Sequence, residues 1–442
     1  MSMNEKTSPK QNARLAALRL LEAVLDKNQM LDQAMLSEGS YRNLTTENKR
    51  FAHMLVATAL RHMGEIDAVT APLLQKGEMP QPPLLAHILR LGVVQLLYLS
   101  TPSHAAVHET VELAHAMKFS KQANMLNAVL RRVERERHML EQKIKALPAS
   151  VNLPAWIWQG WVSAYGEEQA ALMAKACLLP ASIDLSLRDE KEQSFWAGTL
   201  DARILPGGAL RLNSGRDISQ LAGYRDGSWW VQDFAAQIPV RLLGDIDGKD
   251  VLDLCAAPGG KTMQLAAFGA QVTALDRSAK RMQRLKENLE RTKLSAKIEI
   301  ADALDWRPKS GQKYDAVLMD APCSATGTIR RHPELMHLKT SNDMKKLVAL
   351  QEKMLDRLPE LLKQGGMAVY ATCSLQIQEG EAQVERFLKA NPRFKRIPLE
   401  AGDVYGFEQL ISQKGDLRCL PHHLSAQGGM DGFYAARLVH QD

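Results

Sequence analysis

Two cysteines close strand-like runs in similar settings, Asp320-Ala-Pro-Cys-Ser324 and Ala371-Thr-Cys-Ser374. If both strands end on one edge of a parallel sheet, Cys323 and Cys373 project over the same ligand. Taken singly, each reads as a buried, inert thiol. Together, beside a carboxylate, they suit a pyrimidine base. Cytosine C5 is a poor nucleophile, and a thiolate adding at C6 turns the ring into an enamine-like nucleophile that can attack a sulfonium methyl group. Loss of the C5 proton and departure of the thiol then complete the exchange. Asp320 is the carboxylate that would hydrogen-bond N3 and N4 and help protonate the ring. The base has to leave its stack, which favours single-stranded or loop RNA over duplex. Arg330, Arg331 and His332 follow Cys323 and either grip a phosphate backbone or form a solvated turn.

A second constellation precedes them. After an apolar run, Cys255-Ala-Ala-Pro-Gly-Gly-Lys-Thr262 opens a helix. Paired glycines let backbone approach a ligand, and a helix start offers unpaired N–H groups. A Walker A cradle needs glycine where Cys255 stands, and GxGxxG is absent, so what survives is a loop for an adenosyl ligand without a triphosphate. Asp276 ends the next strand, where an acid can accept from ribose hydroxyls, and Asp302 follows the strand after that, where it could take an adenine amino group. A glycine loop followed by acids on successive strand tips is the layout of an S-adenosylmethionine site.

These residues need a sheet to position them. Apolar runs at Val251–Cys255, Val272–Asp276, Lys297–Ile300, Ala316–Asp320, Met367–Thr372 and Phe433–Leu438 alternate with helical patterns at Thr262–Phe268, Ala279–Arg291, Met344–Leu362 and Glu379–Ala390. That alternation predicts a doubly wound α/β domain with its ligand at the carboxyl ends of the strands. Upstream, Asn12–Asp26, Phe51–Leu60, Pro83–Leu99, His104–Lys118 and Asn124–Arg137 carry helical apolar periodicity, Leu15, Leu18, Leu21 and Leu25 forming one stripe. This predicts an all-α bundle. Between the two, a Pro-punctuated stretch from Leu147 to Pro154, a Trp-bearing helix and short strand-like runs at Ile183–Arg188, Ala209–Leu212 and Gly227–Gln232 read as a small α+β module. The expected division is 1–145, 146–230 and 231–442.

Composition narrows the class. At 442 residues, 45% hydrophobic and 24% charged, the chain reads as a multidomain globular protein rather than a disordered or disulfide-stapled one. The start, MSMNEKTSPKQ, lacks the apolar core of a signal peptide, and no run reaches the ~20 apolar residues of a membrane span. The expected location is cytoplasmic, with no membrane partner and five reduced thiols. Net charge is +6, distributed as +5 over residues 1–150, −4 over 151–250, +7 over 251–400 and −2 beyond. Two basic blocks make a polyanionic partner plausible. Arg131 to Arg137, RRVERER, is either a solvated helix face or an RNA-facing patch. His104, His108 and His115 share a helix, but Glu112 stands where HExxH needs histidine, so no metal is expected.

DLCAAPGGKT, MDAPCSATG and YATCSL, in this order and spacing, resemble motifs I, IV and VI of the RNA cytosine-5 methyltransferases of the NOL1/NOP2/Sun family. The resemblance spans roughly residues 228–440, including Trp230 to Gln237 and Gly429 to Tyr434. It implies a Rossmann-like catalytic domain, Cys373 as nucleophile, Cys323 in product release, and a cofactor and base pocket lined by Cys255, Ala256, Ala257, Pro258, Gly259, Gly260, Lys261, Asp276, Asp302 and Asp320. The helical N-terminus is similar to NusB-like RNA-binding domains through SHAAVHETVELA (103–114), where His108 replaces the usual Asn. This domain order is that of the bacterial branch acting on 16S ribosomal RNA, which is the substrate the resemblance implies. The rival expectations are a tRNA substrate, or a binding factor with a silent catalytic unit.

Overall fold

A computed structural model of the chain describes residues 12–99, 101–212, 217–308 and 311–441. The signal-peptide reading of residues 1–11 lies outside them. No helix among the described residues is long and apolar enough to cross a membrane. The chain forms two compact units, one reaching to Gln159 and including Arg331–Lys339, the other comprising Gly160–Arg330 and Thr340–Asp442.

The first unit is helical. Asn12 starts Ala13–Leu25 by accepting from the amides of Arg14 (2.9 Å) and Leu15 (3.1 Å), two of the unpaired donors of a first turn. Leu18 and Leu21 of the predicted stripe are fully buried, with Leu15 and Leu25 packed at the edge of the same core. Thr46–Arg61, Pro83–Leu97, Ser103–Ala116 and Ala123–Arg135 complete the expected bundle, and shorter helices at Leu31–Ser37 and Met63–Thr70 join it. The single helix expected over 124–137 is two, because the chain breaks at Glu136 and resumes over Arg137–Ala146. RRVERER therefore straddles a corner. Its arginines are paired locally, Arg131 with Glu134, Arg132 and Arg135 with Glu136, and Arg137 with Glu141, which favours the solvated-face reading. His104, His108 and His115 lie exposed on Ser103–Ala116. Residues 331–339 join this unit through His337, which bonds the Leu60 carbonyl at 2.8 Å.

The second unit holds two sheets. Strands β1 (Ile183–Leu187), β2 (Arg203–Ile204), β3 (Leu210–Leu212) and β4 (Trp229–Val231) form an antiparallel sheet in the order β2-β3-β1-β4. The larger sheet contains β5 (Asp250–Leu254), β6 (Gln271–Asp276), β7 (Lys297–Ile300), β8 (Tyr314–Asp320), β9 (Leu362–Thr372), β10 (Phe394–Arg396), β11 (Leu417–Cys419) and β12 (Phe433–His440), in the order β10-β12-β9-β8-β5-β6-β7 with β11 on β12. Strands β5 to β9 pair in parallel, whereas β12 runs antiparallel to β9. The chain builds outward from β5 through β6 to β7 and then returns to the opposite side of β5 as β8. The crevice between β5 and β8 is thus the switch point where such sheets bind ligands.

Two expectations change here. The helix expected over 344–362 ends at Leu355, and a separate turn, Leu358–Leu361, follows with Pro359 in its first positions. Proline has no N–H to continue the intrahelical ladder but fits a first turn, so here it sits at the start of a new turn rather than extending the preceding helix. Strand β9 begins at Leu362 rather than Met367, crossing a register shift against β8 where Gly365 adopts φ +72°. Strands β10 and β11, three residues each, have too little pattern to register in the sequence.

Candidate active site

The loop after β5 leaves the sheet abruptly. Cys255 takes φ +64° and Gly259 φ +110°, and the helix Gly260–Ala267 starts at once. A side chain at Gly259 would press on Leu285, so glycine serves both the backbone geometry and the packing there. Asp276, at the tip of β6, is buried and holds this loop: its carboxylate accepts from the amides of Ala257 (3.3 Å) and Ser278 (2.9 Å) and pairs with Arg281 at 3.3 Å. Arg281 in turn donates to the Ala257 carbonyl. Asp302 is exposed after β7 and accepts from the Leu304 amide at 2.9 Å. Two clefts meet at Cys255. One is lined by Asp276, Asp302, Ala303, Pro322, Leu350 and Met354, the other by Trp230, Gln232, Asp253, Pro258, Lys261 and Asp320.

The tips of β8 and β9 complete the cluster. Lys261 Nζ donates to Asp320 Oδ2 at 2.8 Å and sits 5.0 Å from the centre of the Phe433 ring. Burial by itself would lower the Lys261 ammonium, but the Asp320 carboxylate outweighs it and holds it above the usual lysine range. Asp320 pairs in register with Ala371, so the loops carrying Cys323 and Cys373 leave adjacent strands side by side. Their sulfurs are 3.5 Å apart. The contact with Cys373, followed by burial, pushes the Cys323 thiol well up and keeps it protonated. Burial pushes the Cys255 thiol far up too, with Asp276 and Asp320 adding to the effect.

Comparison with known proteins matches this architecture. A family model for the 16S rRNA methyltransferases RsmB/F matches residues 240–439, and a NusB family model matches 11–135. The ribosomal RNA small subunit methyltransferase B of Vibrio vulnificus (strain YJ016) is 33% identical over 97% of this chain and 100% of its own. That of Pseudomonas putida (strain KT2440) is 34% identical over 97% and 98%. The chain belongs to the RsmB/F family of ribosomal RNA methyltransferases. Two solved structures share its fold: PH0851, at 22% identity and TM-score 0.75 over 99% of each chain, and NSun6 from Pyrococcus horikoshii with SFG, at 18% and 0.56 over 65% of this chain and 98% of that one.

Within this RsmB/F chain all the residues expected of the site gather at one edge, and the fold adds others. Arg330 is neither a phosphate grip nor a solvated turn: it is buried and donates to the carbonyls of Pro180 (3.1 Å), Gly428 (2.7 Å) and Met430 (3.3 Å). Gln232 accepts from Trp230 Nε1 (2.8 Å) and Ser186 Oγ (2.9 Å) and donates to Gln264 Oε1 (3.0 Å), bracing the helix behind the glycine loop against the small sheet. Gly327 and Gly432 pack backbone to backbone, the Gly432 amide donating to the Gly327 carbonyl at 2.8 Å and the Gly327 amide to Cys373 O at 2.9 Å. A Cβ on Gly327 would collide with the Gly432 carbonyl, which explains a glycine in each of the two motifs.

Asp253 was also missed. It is fully buried, accepts from Thr262 Oγ1 at 2.6 Å through Oδ2, and its Oδ1 has no hydrogen-bond partner. Burial pushes its carboxyl up to about 7, with Asp320 and Asp276 adding and Thr262 and Lys261 opposing. The folded chain therefore holds a proton that the unfolded chain releases near pH 4. Stability falls as pH rises between those values, by roughly 1.4 kcal/mol per unit at most. Asp253→Asn removes that dependence while keeping an acceptor for Thr262. The expected result in thermal melts is a smaller loss of Tm for the variant than for wild type on going from pH 5.5 to 8.5, and equal losses would contradict it.

Proposed function

We propose that this rRNA methyltransferase transfers a methyl group from S-adenosylmethionine to C5 of a cytosine in 16S rRNA through a covalent cysteine–C6 adduct. The observation that carries the reading is the pair of sulfurs 3.5 Å apart beside the Lys261–Asp320 ion pair. The residues around Cys255 fit the cofactor. Asp276 and Asp302 bring carboxylates to two strand tips, and Pro322, Leu350 and Met354 supply an apolar wall for a purine. The 255–261 loop and the partnerless, buried Asp253 oxygen suit the amino-acid end. When bound, the cofactor supplies an electrophilic methyl group.

The chain's own residues do the rest. Cys373 attacks C6 as the thiolate, with Lys261 held by Asp320 at the tip of the neighbouring strand. Asp320 orients the base by accepting from the N4 amino group, and from N3–H once attack at C6 has made N3 basic enough to take a proton from water, and its bond to Lys261 fixes the carboxylate plane. As the C5 proton passes to water and the C6–S bond breaks, Cys323, kept neutral, donates its S–H proton to the departing Cys373 sulfur and then regains a proton from water. NusB-like helices supply RNA affinity to the N-terminal unit.

The test is transfer of labelled methyl to unmodified 16S rRNA and to tRNA, followed by digestion to nucleosides. The expected product is 5-methylcytidine from 16S rRNA alone. Label in tRNA alone would keep the chemistry and overturn the substrate. A different methylated nucleoside would overturn the chemistry.

A further inference from the structure

Behind the two thiols lies a carboxylate that no part of this mechanism uses. Glu379 ends the short turn Ile377–Glu379 and is fully buried. Its Oε1 accepts from the Ser324 amide (2.9 Å) and Gln351 Nε2 (3.1 Å), and its Oε2 from Ser374 Oγ (2.6 Å) and Ser324 Oγ. Ser324 and Ser374 are the residues immediately after Cys323 and Cys373. Gln351 also donates to the carbonyl of Pro322 at 2.8 Å, on the other side of Cys323. The Glu379 carbonyl accepts from Tyr370 OH (2.8 Å), which anchors the turn to β9. Four donors thus converge on one acceptor-only group, and every one is neutral. A carboxylate buried without a bonded cation is costly, and an apolar side chain would fill the space more cheaply. What only an acceptor with four lone-pair sites achieves is to draw two separate loops onto one point.

We propose that Glu379 is a positioning residue that clamps the loops after β8 and β9 and so sets the separation of Cys323 and Cys373. It touches neither substrate nor cofactor and acts through the two serines. The proposal deepens the covalent reading above and rests on it for its kinetic consequence, but its geometric consequence does not. Without the clamp, the loop that carries Cys373 loses its fixed position, on which attack depends, and the two sulfurs lose their fixed distance, on which expulsion depends.

The experiment uses the full chain as wild type, Glu379→Ala and Glu379→Gln. With 16S rRNA carrying 5-fluorocytidine, whose C5 substituent cannot leave as a proton, the adduct is trapped and its rate of formation is read on a denaturing gel. Glu379→Ala is expected to bind S-adenosylmethionine within about twofold of wild type and to form the adduct about 10²-fold more slowly, the cost of a misplacement near 1 Å. Glu379→Gln recovers to within about tenfold, because its amide oxygen still accepts from the Ser324 amide and Gln351 while the serine hydroxyls turn to accept from its nitrogen. In parallel, equilibration with glutathione measures the effective concentration of the Cys323–Cys373 pair without RNA. It should fall at least about tenfold in the alanine variant and return in the glutamine one.

Wild-type adduct rates and an unchanged thiol pair in Glu379→Ala would overturn the proposal, as would an equal loss in both variants. Should Glu379→Ala not fold, Ser374→Ala takes its place, and an unchanged thiol pair there would overturn it too. If wild type itself traps no adduct, the covalent reading fails, while the thiol measurement still judges the clamp.

Discussion

Cys373→Ala is expected to abolish methyl transfer, lowering turnover by about 10⁴-fold or more, the scale on which enzymes lose a nucleophile. No neighbour can substitute. Cys323 is 3.5 Å away, but once Cys373 is gone burial and the Glu379 carboxylate still push its thiol up, and Cys255 is held neutral by burial among carboxylates. Cofactor affinity should stay within about twofold, since uniform binding is lost only when a ligand contact is removed. The groups assigned to the cofactor, the 255–261 loop, Asp276 and Asp302, lie just after β5, at the tip of β6 and just after β7, whereas Cys373 follows β9. Single-turnover transfer and equilibrium dialysis with labelled cofactor measure the two quantities. Turnover persisting in the variant would sink the role given to Cys373.

Cys323→Ala is expected to leave attack intact and block expulsion, so protein accumulates on RNA. The neutral thiol facing the Cys373 sulfur is the proton-bearing group closest to it in the pair, and alanine removes it without filling the space. Under turnover conditions a slow-migrating, nuclease-sensitive band should appear on a denaturing gel, approaching one adduct per protein, while steady-state product falls by about 10²-fold or more, as for loss of an acid–base group. Free protein alone would reduce Cys323 to a structural thiol. The pair of variants is diagnostic when combined: the double variant Cys323→Ala with Cys373→Ala must lose the band, because the adduct is made by Cys373.

How much of this was legible beforehand depends on the range over which each signal acts. The glycine loop, the acids at Asp276 and Asp302 and the two cysteine motifs were legible because each is a strand end followed by a turn, and turn chemistry is written in neighbouring residues. The alternation of apolar runs and helical stripes announced a parallel sheet for the same reason. Boundaries were less secure where local signals conflict, as at Pro359 and across Gly365-Gly366, where β9 continues through glycines that read as a break.

The residue types, their order along the chain and the side of each strand on which they fall are therefore properties of the sequence alone. Which groups face one another is not. Lys261 meets Asp320 across 59 positions, Ser324 meets Glu379 across 55, and Gln232 meets Gln264 across 32. No local periodicity encodes such pairs, because strand order decides them, and β8 returns beside β5 only when the sheet is assembled. Burial likewise exists only in the folded state, and it is burial that lifts the Asp253 carboxyl and helps to keep Cys323 a thiol.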